Sequence, residues 1–301
     1  MPGVETRGVA PGAIDFVAIG HLAVDYRNGE RVLGGAAAYS CLLAARLGLS
    51  SAVVTAVGED FDLFGPLEGI EIHYHRSHQS TTFRNEYRGA ERRQQLLGRA
   101  HPLTDADLAP LRSRLAEEAT VFYCPIAQEI EAPLIPLSPG GLCGVAAQGF
   151  FRRWDDDGWV HPCAWEEADV ALADVTFVCM SEHDAPRARE LALSLASERR
   201  TVAVTEGVRG ARVYTEGRCY LVPTLVRPAL DPTGAGDVFA ASFLVALGEG
   251  QAPLEAAEFA VCAASFTVEA PGVTGLPSHR QAVEARLADY RARHHPREIE
   301  P

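Results

Sequence analysis

Short apolar runs alternate with longer segments of helical character along most of this chain, and that alternation limits the fold more than any other feature. Beyond residue 100, strand candidates fall at 120–123, 144–147, 175–179, 201–205 and 211–214. Helical segments lie between and after them, at 105–118, 165–172, 185–198, 236–247, 253–269 and 278–293. Strands that alternate with helices in this way predict a mostly parallel sheet covered on both faces. Upstream, Phe16-Val17-Ala18-Ile19-Gly20 reads as a buried strand whose C-terminal end opens toward a site. An alanine-rich helix from Gly35 to Leu47 is stopped by Gly48, and 52–57 forms the next strand. No repeat or linker interrupts the 301 residues, so we expect one α/β domain spanning 1–301. Residues 1–12 read as a loose leader, and the His294-His295-Pro296 tail as frayed.

Two segments break the pattern. Val24-Asp25-Tyr26-Arg27, then Asn28-Gly29, then Glu30-Arg31-Val32-Leu33 is a hairpin signal with a type I′ turn. From Ile70 to Leu97, apolar residues stand among polar ones, with Gly89-Ala90 as a candidate turn. Both segments, about 22–33 and 70–99, predict a small β lid over a site.

Composition mainly excludes. All 27 basic residues are arginine, so a Walker A loop and Schiff-base chemistry, which need lysine, are ruled out. A net charge of −13 argues against a nucleic-acid partner. No segment has the length and apolarity of a membrane span. Seven scattered cysteines without Cys-x-x-Cys read as reduced thiols, which suggests a cytoplasmic location. His73, His75 and His78 lack an acidic or thiol companion at ligand spacing and are read as lid-strand polar residues.

Chemistry concentrates in Asp231-Pro232-Thr233-Gly234-Ala235-Gly236-Asp237, which runs into the apolar, helix-permissive Val238–Leu244 segment. A helix that starts within the glycines offers free N–H groups and its positive dipole end to an anion. Asp237 would be repelled by that anion unless it takes a proton from a hydroxyl while the amides hold a phosphoryl group. An N-cap aspartate after a glycine turn is the simpler alternative.

These seven residues closely resemble the C-terminal signature of the PfkB-type, ribokinase-like carbohydrate kinases. Gly34-Gly35 with Ala44-Ala45-Arg46-Leu47-Gly48 resembles the N-terminal signature of that family, Thr55–Asp60 the following strand end, and Thr205-Glu206-Gly207 with Gly210 its nucleotide loop. Gln148-Gly149-Phe150-Phe151-Arg152, Asp231-Pro232-Thr233 and Val268-Glu269-Ala270-Pro271-Gly272 resemble the myo-inositol-kinase-like members. The resemblance runs in family order from about residue 14 to residue 290. It implies a ribokinase-like three-layer α/β sandwich with a β lid, and ATP-dependent phosphorylation of a hydroxyl on a small polyol, sugar or inositol.

In that reading Asp237 is the base, and Gly234, Ala235 and Gly236 build the anion cradle. Asp25, Gly34, Gly35, Tyr39, Arg84 and Gln148 face the acceptor. Ser181, Asp184, Thr205, Gly207, Gly210 and Thr233 face the nucleotide. Asp184 reaches Mg2+ through water, Asp231 helps hold a monovalent cation such as K+, and the lid carries a homodimer contact.

Each assignment has a plainer alternative. Asp25 can simply flank a hairpin, Gly34-Gly35 can permit a tight turn, and Tyr39 can be a helix-packing ring where the family has asparagine. Ser181-Glu182-His183-Asp184 departs from the family's Asn-x-x-Glu and also resembles a helix cap. Thr205 and Gly207 fit an ordinary turn, and Gln148 a buried amide. Arg84, Arg88, Arg92, Arg93 and Arg99 are either solvated charges or a clamp for a phosphorylated acceptor. The rival functions are therefore a sugar-phosphate kinase and a catalytically weak nucleotide- or metabolite-binding relative.

Overall fold

A computed structural model describes residues 4–8, 12–27, 29–88, 91–130, 137 and 140–301, with the side chains of Tyr87, Arg88, Glu91 and Arg92 excepted. Asn28 and the Gly89-Ala90 turn lie outside the described residues. At its centre is an 11-stranded sheet. Glu71–Ser77, Ser51–Gly58, Ile14–Ile19, Leu115–Tyr123, Cys143–Ala146, Phe177–Ser181 and Thr201–Thr205 run parallel through its middle. Antiparallel strands finish both edges: Glu5–Arg7 on one side, and Ala211–Thr215, Arg218–Val222 and Arg297–Ile299 on the other.

Inner strands such as Ser51–Gly58 and, as far as Met180, Phe177–Ser181 are buried on both faces, as their apolar runs require. Helices Ala36–Arg46, Ala235–Gly248 and Pro253–Thr267 cover one face, packed on Phe16, Phe122 and Phe177. Shorter helices, among them Ala188–Leu195, cover the other face over Val17, Val145 and Val178. The expected three-layer α/β sandwich is what forms.

The lid is a four-stranded sheet in the order Glu30–Gly34, Ala23–Arg27, Thr81–Arg88, Glu91–Gly98. Its two hairpins join through a parallel pairing of Ala23–Arg27 with Thr81–Arg88. The first part of the expected 70–99 lid segment is corrected. Glu71–Ser77 belongs to the main sheet, because Ile72 and Tyr74 pack in its core beside Ser51–Gly58.

Other boundaries moved for local reasons. The expected helix 105–118 is only Asp105–Leu108 plus one 3₁₀ turn at Ala109–Leu111; Pro110 stands in that turn, and the chain then enters the strand Leu115–Tyr123. The expected helix 165–172 shortens to Ala168–Ala171. Within the supposed leader, Glu5–Arg7 pairs with Glu71–Ser77, and Tyr74 Oη–H donates to Glu5 at 2.6 Å. The supposed frayed tail gives the edge strand Arg297–Ile299.

Buried His21 fastens the lid to the sheet. A carbonyl can only accept, so Nε2–H donates to His101 O at 2.9 Å, which leaves Nδ1 to accept from Thr81 Oγ1 at 2.7 Å. Thr81 Oγ1 accepts the Ala100 N–H in turn, and Glu129 accepts the N–H of His21. Burial lowers the His21 pKa, which keeps the imidazole neutral as this pattern requires.

Candidate active site

A cavity of about 400 Å³ opens between the lid and the C-terminal ends of the parallel strands. Its floor is the start of helix Ala235–Gly248. Gly234 caps this helix in the left-handed region at φ 83° and ψ −7°. Its absent Cβ matters, because a methyl there would lie 2.2 Å from Tyr39 Cε1. Val238, Phe239, Phe243 and Leu244 then bury the helix in the core, and Phe243 stacks on Phe177 at 4.4 Å. Each such side chain contributes roughly 1.5–3 kcal/mol, which fixes the helix start against the sheet.

First-turn amides have no acceptor inside a helix. The Ala235 N–H reaches back to Pro232 O at 3.3 Å, so the outward-facing first-turn amides include that of Gly236. Asp237 lines the cavity beside them. This arrangement can hold an anion and deprotonate a hydroxyl next to it.

Asp25, on lid strand Ala23–Arg27, faces the same cavity. Gly34 on the neighbouring strand makes room for it, since a Cβ there would lie 2.4 Å from Asp25 Oδ2. Tyr39 lines the cavity at 2% exposure. Burial, then the charges of Asp237, Asp25 and Asp231, push its phenol well above the ordinary range, so it stays neutral. Its ring lies against Gly234, so the packing reading and the pocket-lining reading both hold.

Gln148 bridges toward the other end of the cavity, its Nε2 donating to Asp184 Oδ1 at 3.2 Å. Asp184 Oδ2 accepts the Ser181 N–H at 2.7 Å, so this carboxylate closes a local turn and does not line the cavity, whereas Ser181 does. A direct metal bond would compete with both contacts; a water-mediated one fits them. Among the described residues no group of three or more acidic, histidine or cysteine side chains is placed to hold a metal ion.

Thr205, Gly207, Gly210 and Thr233 also line the cavity, as do the apolar Leu225, Val226, Val261 and Val268. Glu206, inside the Thr205–Gly207 loop, is buried and gripped by Arg189 at 2.7 Å, Arg212 at 2.9 Å and Arg209 at 3.3 Å. Burial alone would raise its pKa, but the arginines outweigh burial and hold the carboxyl low. Sequence reasoning missed this clamp, since its partners are dispersed along the chain.

Of the two readings of the lid arginines, the clamp finds no support among the described side chains, and Arg84, expected to face the acceptor, does not line the cavity. Strand alternation turns Phe83 into the cavity and therefore Arg84 out, where it donates to Gln95 at 3.2 Å. Arg93 stacks on Trp159 at 4.3 Å, and Arg99 donates to the Ala127 and Gln128 carbonyls. Arg88 and Arg92 lie among the side chains not described. Two arginines outside the lid do line the cavity: Arg152, 8% exposed, donating to Ile126 O at 2.9 Å and Gln94 Oε1 at 2.6 Å, and Arg227, whose Nε lies 3.4 Å from Glu269. The Gln148–Arg152 segment carried the first, but its spacing did not distinguish it from the lid arginines.

The fold and site together define a ribokinase-like phosphotransferase. A family model for pfkB family carbohydrate kinases matches residues 147–279. An inositol 3-kinase from Oryza sativa subsp. japonica is 31% identical over 304 residues, covering 91% of this chain and 74% of that protein. A nucleoside kinase from Methanocaldococcus jannaschii is 26% identical over 91% of this chain and 96% of its own length. Among solved structures, a pyrophosphate-dependent kinase in the ribokinase family, complexed with a pyrophosphate analog and myo-inositol, matches with TM-score 0.72 at 23% identity. That match covers 90% of this chain and 99% of the other. The chain belongs to the pfkB family of carbohydrate kinases. Among the described residues no helix is long and apolar enough to cross a membrane.

Proposed function

We propose that this protein, acting as a single domain, transfers the γ-phosphoryl group of ATP to a hydroxyl of a small uncharged cyclic polyol, with an inositol as the preferred acceptor. The observation that carries the reading is the position of Asp237 on the cavity wall at the start of helix Ala235–Gly248. Asp237 accepts the hydroxyl proton. The first-turn amides take up the charge of the phosphoryl group as it moves in line. Asp25 and Gln148 orient the acceptor hydroxyls, and the ring of Tyr39 packs on its apolar face. Magnesium held by the donor phosphates, with Asp184 behind a water, would supply charge neutralisation there.

The apolar side chains of the cavity, Leu225, Val226, Val261 and Val268, support a nucleotide over pyrophosphate as donor, since a base would bury them and pyrophosphate would leave them bare. Val226 and Val208, also lining residues, are 72% and 79% exposed. Arg152 supports the uncharged acceptor. Two of its guanidinium contacts already go to Ile126 and Gln94, which makes it a brace for the lid side chains more than a face for a phosphate. The lid carries the contact to a second copy in a homodimer through its outer surface or its Glu30–Gly34 edge, since Gly158 and Trp159 already meet the other edge strand.

A donor–acceptor matrix tests the reading. Product release is measured with ATP and with pyrophosphate, each against inositols, free sugars, nucleosides and sugar phosphates. We expect ATP with an inositol to exceed ribose and adenosine by at least about tenfold in kcat/KM, a difference of ~1.4 kcal/mol. A preference for pyrophosphate, a nucleoside or a sugar phosphate would replace it. A second expectation separates the arginines. Arg84→Ala should leave the acceptor KM nearly unchanged, as for a solvated charge. Arg152→Ala, which leaves Gln94 and Ile126 O without their donor, should raise it by about tenfold or more. Equal, small effects would remove Arg152 from the site.

A further inference from the structure

Asp231 is a buried carboxylate at the start of the loop that leads into the cradle. Its Oδ1 accepts the Thr233 N–H at 3.0 Å and its Oδ2 the Gly272 N–H at 2.9 Å. The resemblance implies a monovalent metal ion at this carboxylate, but its cationic partner is already present. Arg27 Nη1 lies 2.5 Å from Oδ2. A metal ion on that oxygen would meet the guanidinium charge, so the residues here do not fit one.

We propose that Arg27 is the built-in cation of the anion loop, so that phosphoryl transfer needs no monovalent metal ion and the loop is tied directly to the lid. The inference rests on the reading of Gly234–Asp237 as the anion cradle.

Asp231 is 8% exposed, and a carboxylate so buried requires a compensating charge. It also joins two segments, the loop that leads into the cradle and the turn at Gly272–Gly275, so whatever neutralises it also holds the loop in place. Without a counter-charge, a negative group three residues before Gly234 would oppose an anion at the cradle. Burial pushes the Asp231 pKa up, yet the two amides and Arg27 outweigh burial and keep the carboxyl ionised.

Arg27 ends lid strand Ala23–Arg27, two residues after Asp25, so strand periodicity puts both side chains on one face. Asp25 lines the cavity and Arg27 does not. One strand thus presents a carboxylate to the acceptor and a guanidinium to the loop beneath it. Arg27 is a positioning residue, acting through Asp231.

The test compares wild type, Arg27→Lys and Arg27→Gln in tetramethylammonium, Na+ and K+ salts at constant ionic strength, reading kcat, acceptor KM and Tm. Wild type and Arg27→Lys should vary by no more than about twofold in kcat among the three salts. Arg27→Gln should lose on the order of tenfold or more in kcat in tetramethylammonium, with acceptor KM little changed. K+ should restore it better than Na+ and should raise Tm in this variant only. Strong activation of wild type by K+ would overturn the proposal, as would an Arg27→Gln enzyme fully active without metal ion or one that K+ neither rescues nor stabilises. Should Arg27→Gln not fold, the salt response of Arg27→Lys decides, with metal dependence counting against the proposal. The Tm readings need no turnover. A wild type without kinase activity on any acceptor would remove the proposed function, while a K+ shift confined to Arg27→Gln would still support the ion-pair assignment.

Discussion

Asp237→Asn is expected to abolish turnover while leaving the donor bound about as tightly as before. Asparagine keeps the size of the side chain and the backbone amide, so the start of helix Ala235–Gly248 should keep its shape. It cannot accept the acceptor's proton. Loss of a general base costs ~10²–10⁴-fold in rate, and more where the group also positions the nucleophile. Donor affinity should hold or improve, because the substitution removes a negative charge from beside an anion site. The checks are kcat under saturating substrates and donor Kd by calorimetry. A variant that keeps more than a tenth of the wild-type kcat would show that another group takes the proton, and Asp25, across the same cavity, would be the first to examine.

The sheet and its covering helices were readable because their signals are local. Strands such as Thr201–Thr205 are unbroken apolar runs, and helix Ala36–Arg46 is alanine-rich and ends near Gly48. The motif that leads into helix Ala235–Gly248 was legible for the same reason, since its glycines and its acidic residues are contiguous. What escaped depends on distant partners. Nothing within Glu5–Arg7 says that it will pair with Glu71–Ser77, and nothing near Glu206 says that Arg189 and Arg212 will converge on it. Arg84 and Arg152 have the same side chain in similar company. The register of Thr81–Arg88, which turns Phe83 inward, sends the first out, while the second reaches the cavity from the separate strand Arg152–Trp154 that follows the Ala147–Phe151 turn. The Arg27–Asp231 pair spans more than two hundred residues and had no signal at all.

Gly234 and Gly236, two residues apart in the cradle, should fail in opposite ways when changed to alanine. At Gly234 the backbone is left-handed, which costs an L-residue about 1–2 kcal/mol. The new methyl would also meet the ring of Tyr39, at 2.2 Å from Cε1 and 2.5 Å from Cδ1. That ring is 2% exposed, so it has little room to swing aside and the loop must move instead. A shift there misdirects the first-turn amides, that of Gly236 among them, and losing one such donor costs on the order of 10²-fold in kcat. Gly234→Ala should therefore lower both kcat and Tm, the latter by about 5 °C or more. Gly236 has no positive φ, and a Cβ there would meet nothing within 4 Å. In a helix alanine is favoured over glycine by roughly 1 kcal/mol, so Gly236→Ala should keep or raise Tm. Its methyl nevertheless enters the cavity beside the phosphoryl position, and kcat should fall by about tenfold or more. Adding Tyr39→Ala to Gly234→Ala should recover part of the lost Tm by removing the collision, leaving only the backbone strain. If the two glycine variants lost Tm equally, Tyr39 would not be what holds the anion loop in place.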